Sequence, residues 1–199
     1  MKVSVGIVLI GGSPGVGKTT VARAVALKLN LDLISLGEFV AARKLYVEYD
    51  AERRAYVIDV KRVKEELREV ARDRRVVVET HVIDAIPEDL VEVAVILRLD
   101  PRILEERLTR RGYARIKVVE NVQAELLDAC LIEAVRAFGV DRVYEVDTTG
   151  KSVEEVVEEV LDVIYGGRGC KPGTVNWFEV LGDEAFKYLR EGGVRASAS

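Results

Sequence analysis

The chain has 199 residues, enough for one α/β domain with a well-filled core and too few for two large domains. Apolar residues make up 49% of the sequence and charged residues 32%, which excludes an intrinsically disordered chain. The formal net charge of −4 excludes a surface that attracts nucleic acid as a whole, so any contact with RNA would be local.

The first predicted element is an apolar, β-branched segment, which is typical of a parallel strand covered on both faces. We expect this strand to run from Val3 to Ile10. It leads directly into a Gly-rich loop without a small-residue cleavage site, which argues against a signal peptide. No apolar run approaches the roughly 20 residues that a membrane-spanning helix needs. We therefore expect no membrane association and a cytoplasmic protein.

The Gly-rich loop from Gly12 to Thr19 fits the phosphate-binding (P-loop) pattern of one glycine, four residues and Gly-Lys-Thr. Its glycines allow the backbone to curl so that several N–H groups point at phosphate oxygens. The following helix, predicted over Lys18 to Leu29, adds the field of its N-terminus. In this pattern Lys18 reaches the β- and γ-phosphates of ATP, and the Thr19 hydroxyl is a ligand of the accompanying Mg²⁺. The candidate ATP-binding residues of the loop are Gly12, Gly15, Val16, Gly17, Lys18, Thr19 and Thr20.

Beyond this helix, strands and helices alternate, which predicts a single α/β domain with a parallel sheet between layers of helices. The predicted strands are Leu31 to Ile34, Arg75 to Glu79, Val91 to Leu99 and Val143 to Val146. The predicted helices are Glu38 to Glu48, Val60 to Arg72, Arg102 to Arg111, Glu120 to Phe138 and Ser152 to Tyr165, and Tyr49 to Tyr56 is predicted as a polar turn region. Asp59 and Asp100 suit the N-cap positions of two of these helices.

The C-terminal part of the chain begins with a join rich in glycine and proline between Gly166 and Gly173. One short helix is predicted over Trp177 to Arg190, and Glu191 to Ser199 are expected to be disordered. We therefore divide the chain into a core domain of residues 1–165 and an extension of residues 166–199.

Glu79 and His81 follow the predicted strand that ends at Glu79. Ligands gather at the carboxyl ends of strands in doubly wound sheets, and P-loop enzymes place an acid there to hold Mg²⁺. Glu79 is therefore the candidate metal-binding acid, although an ordinary polar strand end remains open. His81, the only histidine, is either a structural residue or a group that orients the attacking species or a magnesium-bound water.

A basic segment in an otherwise acidic chain contains Arg107, Arg110, Arg111, Arg115 and Lys117. The first three lie on one helical face by their spacing. Arginines on a closing loop can stabilise the charge that develops during phosphoryl transfer. The alternative is that they are solvated partners of neighbouring acids such as Glu105 and Glu106. Arg98, on a predicted strand, is interpreted as structural.

The two cysteines, Cys130 and Cys170, have no metal-ligand spacing. The sequence leaves open whether they are paired or free. Cys130 is interpreted as a small buried residue.

Several segments together resemble the sixth isoenzyme class of adenylate kinase, which includes the nuclear adenylate kinase/ATPase of eukaryotes and its archaeal relatives. These segments are Ser13 to Thr20, Glu79 to His81, Glu106 to Leu108, Arg111 to Tyr113 and Glu120 to Glu125. The resemblance covers about residues 3–165. It implies a nucleoside monophosphate (NMP) kinase fold with an NMP-binding arm at about residues 35–58 and a short lid at about residues 110–120.

The resemblance also implies an activity and partners. Members of the family transfer phosphate between ATP and AMP, hydrolyse ATP, and assist maturation of the small ribosomal subunit (16S rRNA, the pre-30S particle) with transient binding to ribosomal protein uS11. By similarity, Arg111 is the lid arginine that contacts ATP, Arg107 lies along the adenine, and the loop containing Gly150 borders the base. The competing hypotheses are an ATPase assembly switch with little kinase activity and a kinase of another small molecule.

The sequence departs from the family pattern at two places. The acid before His81 is normally Asp, and here it is Glu79. Kinases of this fold often carry an arginine four residues after the glycine that corresponds to Gly37, where it grips the AMP phosphate. That position is Ala41 here, so Gly37 and Arg43 are the AMP-binding candidates.

Overall fold

The computed structural model describes residues 5–50, 55–166 and 169–191. Five strands form a central, fully parallel sheet in the spatial order β2-β5-β1-β6-β7. These strands are β1 (Gly6–Gly11), β2 (Asp32–Ser35), β5 (Arg75–Glu79), β6 (Val91–Arg98) and β7 (Val143–Asp147). The predicted P-loop kinase-like fold, a parallel sheet flanked by helices, is therefore confirmed.

The helices pack on both faces of the sheet. They are α1 (Lys18–Leu29), α2 (Leu36–Arg43), α3 (Val60–Ala71), α4 (Pro101–Arg110), α5 (Arg115–Leu126), α6 (Ala129–Phe138), α7 (Val153–Gly166), α8 (Trp177–Leu181) and α9 (Ala185–Glu191). Two predicted caps are confirmed, because Asp59 Oδ1 accepts from the Arg62 N–H at 3.2 Å and Asp100 Oδ1 accepts from the Arg102 N–H at 2.9 Å.

The buried side chains form a separate core on each face of the sheet, as the alternation of a strand requires. Along β1, Val8 and Ile10 belong to the core under α1 and α7, whereas Ile7 and Leu9 belong to the core under α3 and α6. All four are fully buried. β1 begins at Gly6, so the predicted first strand wrongly included Val5, whereas Val3 and Ser4 lie outside the described part of the chain.

The segment predicted as the NMP-binding arm differs from the expected helix followed by a turn. Helix α2 ends at Arg43 because Lys44 adopts the left-handed conformation (φ 55°). The chain then forms an antiparallel hairpin of β3 (Tyr46–Asp50) and β4 (Ala55–Ile58). Tyr46 and Tyr56 stack across it with ring centroids 4.3 Å apart. Cross-strand aromatic pairing favours the hairpin over the predicted helix.

The single helix predicted over Glu120 to Phe138 is two helices, α5 and α6. The break falls at Asp128, which has φ 57°. Its carboxylate forms an ion pair with the buried guanidinium of Arg98. This contact, distant in the sequence, stabilises the left-handed residue between the two helices.

The C-terminal extension is also two short helices, α8 and α9, joined by a 3₁₀ turn at Gly182–Glu184. Trp177, Leu181 and Ala185 pack on Leu126 of α5. Glu191, which was predicted to be disordered, ends α9; the other residues of that prediction, 192–199, lie outside the described part of the chain. Within the residues described, no helix is long and apolar enough to cross a membrane.

Candidate active site

The phosphate-binding loop lies between the end of β1 and the start of α1. Gly12, Gly15 and Gly17 have φ values of 135°, 99° and 109°, in which a side chain would be strained. A Cβ on Gly12 would also come within 2.5 Å of the Leu97 carbonyl oxygen. The N-cap residue of α1 is Gly17, which has no side chain that could accept a hydrogen bond from the N–H groups of the first turn. This N-terminus therefore offers N–H donors and a positive field to an anion.

Lys18 is the first residue of α1 and is almost fully buried, with 6% of its surface exposed. Its ammonium donates to the Ser13 carbonyl at 2.9 Å, across the mouth of the loop. Burial lowers the pKa of Lys18, and the positive charge of Arg111 adds to this effect, whereas the negative charge of Glu79 opposes it. Lys18 is thus close enough to Arg111 and Glu79 for their charges to act on it.

Glu79 ends β5, and it lies beside the end of β1 because Ile10 and Glu79 are register partners in the two strands. Its carboxylate is 8% exposed and accepts a hydrogen bond from the Ser35 hydroxyl at 3.1 Å. Thr19, on the first turn of α1, is exposed. A carboxylate and a hydroxyl are hard oxygen ligands of the kind that Mg²⁺ takes together with phosphate oxygens and water. Among the described residues there is no cluster of three or more His, Cys, Asp or Glu that could bind a metal without such partners.

His81 lies two residues beyond Glu79, near enough to Lys18 for the lysine charge to act on it. Neighbouring protein atoms lower its pKa to about 4 by desolvation, and the charge of Lys18 adds to the effect. The His81 residue is nevertheless exposed to solvent by its surface area, so its desolvation is less complete than that of a core residue. Both causes act in the same direction, and His81 is therefore neutral at pH 7.

Cys130 lies on the first turn of α6, beside the segment that follows β5. Its thiol is 3.5 Å from the carbonyl oxygen of His81. Burial raises the pKa of this thiol to about 11, so it is uncharged at neutral pH. Both Cys130 and Cys170 are free, which resolves the alternative left open by the sequence. Cys130 is half-buried rather than fully buried as interpreted from the sequence.

A cavity of about 300 Å³ adjoins the phosphate loop on the side of α4 and α7. Its lining comes from the loop and α1, from α4 and the turn after it, and from the segment after β7: Val16, Gly17, Thr20, Val21, Arg107, Arg111, Thr148, Lys151, Ser152, Val153 and Val156. Its apolar walls, two arginines and the adjoining anion site suit an aromatic base attached to phosphates.

A protein-family model described as "AAA domain" matches residues 8–128. A protein of Pyrococcus abyssi (strain GE5 / Orsay) named "Putative adenylate kinase" is 43% identical over 188 residues, which is 94% of this chain and 99% of that protein. A protein of the same name from Methanocaldococcus jannaschii is 37% identical over 183 residues, covering 92% and 96% of the two chains. The chain belongs to this AAA-domain family.

Solved structures with the same fold include two kinases of different small molecules. Shikimate kinase from Acinetobacter baumannii, in complex with shikimate, has a TM-score of 0.58 and 19% identity, over 83% of this chain and 96% of that one. Thymidylate kinase from Candida albicans has a TM-score of 0.51 and 15% identity, over 80% and 91%. At these low identities, the similarity shows only that this chain has the same fold as the two kinases.

The arginines of the basic segment are divided between the cavity and the solvent. Arg107, which precedes the predicted lid, and Arg111, within it, line the cavity. Arg110 pairs with Glu106 at 2.6 Å, and Arg115 pairs with Glu105 at 2.5 Å. These two arginines therefore follow the alternative in which they are solvated partners of neighbouring acids. The segment predicted as the lid, residues 110–120, forms the turn from the end of α4 to the start of α5 and the first residues of α5.

The two candidate AMP-binding residues lie on opposite ends of α2. Gly37 is on its first turn, directly after β2, on the P-loop side of the sheet. Arg43 ends the helix, pairs with Glu66 of α3, and lines an open hollow of about 430 Å³ with Asp73 and Arg74 at the amino end of β5. The larger size of this hollow does not make it the nucleotide site, because its lining contains no residue of the phosphate loop. The structure therefore does not bring Arg43 to the P-loop.

Sequence reasoning missed a buried charge cluster behind the phosphate loop. Arg98 is 1% exposed and contacts Glu125, Glu145 and Asp128. Burial opposes its charge, but these acids, led by Glu125, outweigh burial and raise the pKa of Arg98. The interpretation of Arg98 as structural agrees with this placement. A charged residue within each of two strands predicted to be buried, β6 and β7, was the signal that such a cluster existed.

Proposed function

We propose that this family member is an adenylate kinase of the sixth isoenzyme type, which transfers the terminal phosphate between ATP and AMP and also hydrolyses ATP. The observation that carries the proposal is the strained Gly-rich loop around Lys18 beside a cavity lined by Arg107 and Arg111. The relatives named as adenylate kinases at 37–43% identity support the choice of nucleotide. The chemistry is positioning and charge stabilisation, without a covalent intermediate.

In this proposal each residue has a stated role. The ATP phosphates lie on the loop amides from Gly12 to Thr20, with the Lys18 ammonium moving from its own loop to the β- and γ-phosphates. Arg107 lies along the adenine, and Arg111 stabilises the transferring group. Gly150, in the loop after β7, borders the base.

Mg²⁺ accompanies ATP in the proposed reaction and would be held by Thr19 and Glu79. The oxygen donors of these two residues fit a hard cation. When bound, the ion neutralises phosphate charge. The longer Glu side chain stands where the family has Asp, and the hydrogen bond from the Ser35 hydroxyl orients its carboxylate.

A second candidate function is an ATPase that switches the grip of an assembly factor on ribosomal protein uS11 during maturation of the pre-30S particle. One observation favours it over the kinase. Within the described arm, residues 35–50 and 55–58, the arginine at position 43 faces Glu66 rather than the phosphate loop, and position 41 is Ala. A weakly gripped AMP would leave water as the main phosphate acceptor.

The deciding experiment is to incubate the protein with ATP and Mg²⁺, with and without AMP, and to measure ADP. The kinase proposal expects ADP well above the hydrolysis background when AMP is present. If AMP adds nothing, the kinase is rejected; if ATP alone gives no ADP, the ATPase is rejected. Pull-down of uS11 with the protein in its nucleotide-free, ADP and ATP states tests the switch, and binding that ignores nucleotide would count against it. A panel including shikimate and gluconate tests the small-molecule alternative.

A further inference from the structure

The C-terminal extension is anchored beside the phosphate loop and not at a distance from it. The backbone N–H of Glu145 on β7 donates to the Cys170 carbonyl at 2.9 Å, and the Glu145 carboxylate accepts from the N–H groups of Thr174 and Val175 at 2.5 and 3.0 Å. These bonds direct the chain toward α5, where Trp177 is buried with 3% of its surface exposed.

Trp177 is joined to the phosphate loop by two hydrogen bonds through one carboxylate. Its indole N–H donates to Glu125 Oε1 at 3.0 Å, and the Ser13 hydroxyl donates to Glu125 Oε2 at 2.7 Å. Ser13 is the second residue of the loop, and its carbonyl oxygen accepts from Lys18. One buried acid therefore connects the extension with the loop that carries the catalytic lysine.

The hydrogen bonds of Glu125 fix its carboxylate, so a displacement of Trp177 would also displace Ser13. Its Oε1 also accepts from Arg98 Nε at 2.8 Å and from the Leu99 N–H at 3.2 Å, and its side chain is 2% exposed. The Arg98 guanidinium lies 5.7 Å from the ring centre of Trp177. A buried carboxylate with both oxygens occupied cannot rotate to release one partner without leaving another unpaired.

We propose that the extension completes the nucleotide site, and that Trp177 is a positioning residue that holds the phosphate loop in its binding conformation through Glu125 and Ser13. The inference rests on the proposed binding of ATP to this loop. Loss of the indole N–H loosens Glu125, and the loop then spends part of its time outside the conformation that binds phosphate. Affinity for ATP falls by that fraction.

The test measures the Kd of the ATP analogue with a β,γ-imido bridge, with Mg²⁺, by calorimetry. Four proteins form a double-mutant cycle: wild type, Trp177→Phe, Ser13→Ala and the double variant. Val180→Ala is the matched control, because Val180 lies on the same helix but its side chain is 54% exposed, whereas Trp177 is buried. Trp177→Phe is expected to raise Kd about three- to tenfold, and the control to stay within about twofold.

The cycle separates positioning from general damage to the fold. If the two residues act through one connection, the rise in Kd of the double variant is smaller, by a factor of at least about three, than the product of the rises in the two single variants. A double variant equal to that product, or a Trp177→Phe protein that binds like wild type, overturns the inference. Failure of the wild-type protein itself to bind the analogue would instead reject the proposed function.

A second measurement needs no substitution at position 177. Trp177 is the only tryptophan in the chain, so its fluorescence reports on the extension alone. Saturation with the analogue is expected to change its emission in the wild type, and Ser13→Ala is expected to reduce that change by at least about half. Emission that is unchanged by a bound analogue in the wild type contradicts the proposed connection.

Discussion

Replacement of Arg98 by Met is expected to be the most damaging single change in the core. The guanidinium hydrogen-bonds Glu125 and Glu145 at 2.8 Å each and forms a third ion pair with Asp128. Met fills much of the same volume but leaves two carboxylates, 2% and 0% exposed, without their cation. Breaking a buried ion pair by removing one partner costs about 3–5 kcal/mol.

That loss is large beside the total stability of a domain, about 5–15 kcal/mol. Arg68→Met is the matched control, because Arg68 and Asp89 form an ion pair at 2.8 Å with side chains 44% and 60% exposed. An exposed pair contributes about 0–1 kcal/mol. Arg98→Lys keeps the charge but cannot reproduce the forked contacts, so its loss should fall between those of Arg68→Met and Arg98→Met.

The assay is urea unfolding followed by circular dichroism, with the free energy of unfolding extrapolated to water for each variant. The expected order of loss is Arg98→Met, then Arg98→Lys, then Arg68→Met. If Arg98→Met stays within about 1 kcal/mol of the wild type, the cluster is not a network that depends on its cation, and this reasoning is refuted.

Four further predictions concern the active site. Lys18→Met should reduce ATP turnover at least about a hundredfold in a coupled ADP assay, because the β- and γ-phosphates lose their cation; near-normal turnover would contradict the assignment. His81→Ala should slow hydrolysis more than it weakens ATP binding, and an unchanged rate would return His81 to a structural role. Since the folded-state pKa of His81 is about 4 and the unfolded value about 6.5, the wild type loses stability as pH falls through this window; His81→Gln should show a smaller loss between pH 7 and pH 5 in urea unfolding. Arg107→Ala should raise the KM for ATP several-fold, whereas Arg110→Ala, which removes a solvent-facing partner of an acid, should leave it unchanged.

The phosphate loop and the sheet could be predicted because their signals are local. Glycines at three positions of positive φ, a lysine and a threonine lie within eight residues, and the strand before them is a continuous apolar run. The caps at Asp59 and Asp100 were predictable for the same reason, since each carboxylate bonds an amide two or three residues away.

The remaining features depend on residues that are far apart in the sequence. Helical periodicity continues across Asp128, and only the ion pair with Arg98, 30 residues earlier, explains the break between α5 and α6. The hairpin of the arm depends on stacking between Tyr46 and Tyr56. The helical spacing of Arg107, Arg110 and Arg111 could not distinguish the two arginines that line the cavity from the one that pairs with Glu106.

Gly15 packs so closely that a Cβ there would lie 2.8 Å from Leu104 and 2.9 Å from Leu108, both on α4. The phosphate loop and this helix are therefore in direct contact with no free space between them. Arg107, on the same helix, lines the cavity proposed for the base. The distance between the base and phosphate subsites is consequently set by one rigid packing contact, and trimming Leu108 would alter both subsites without touching the nucleotide.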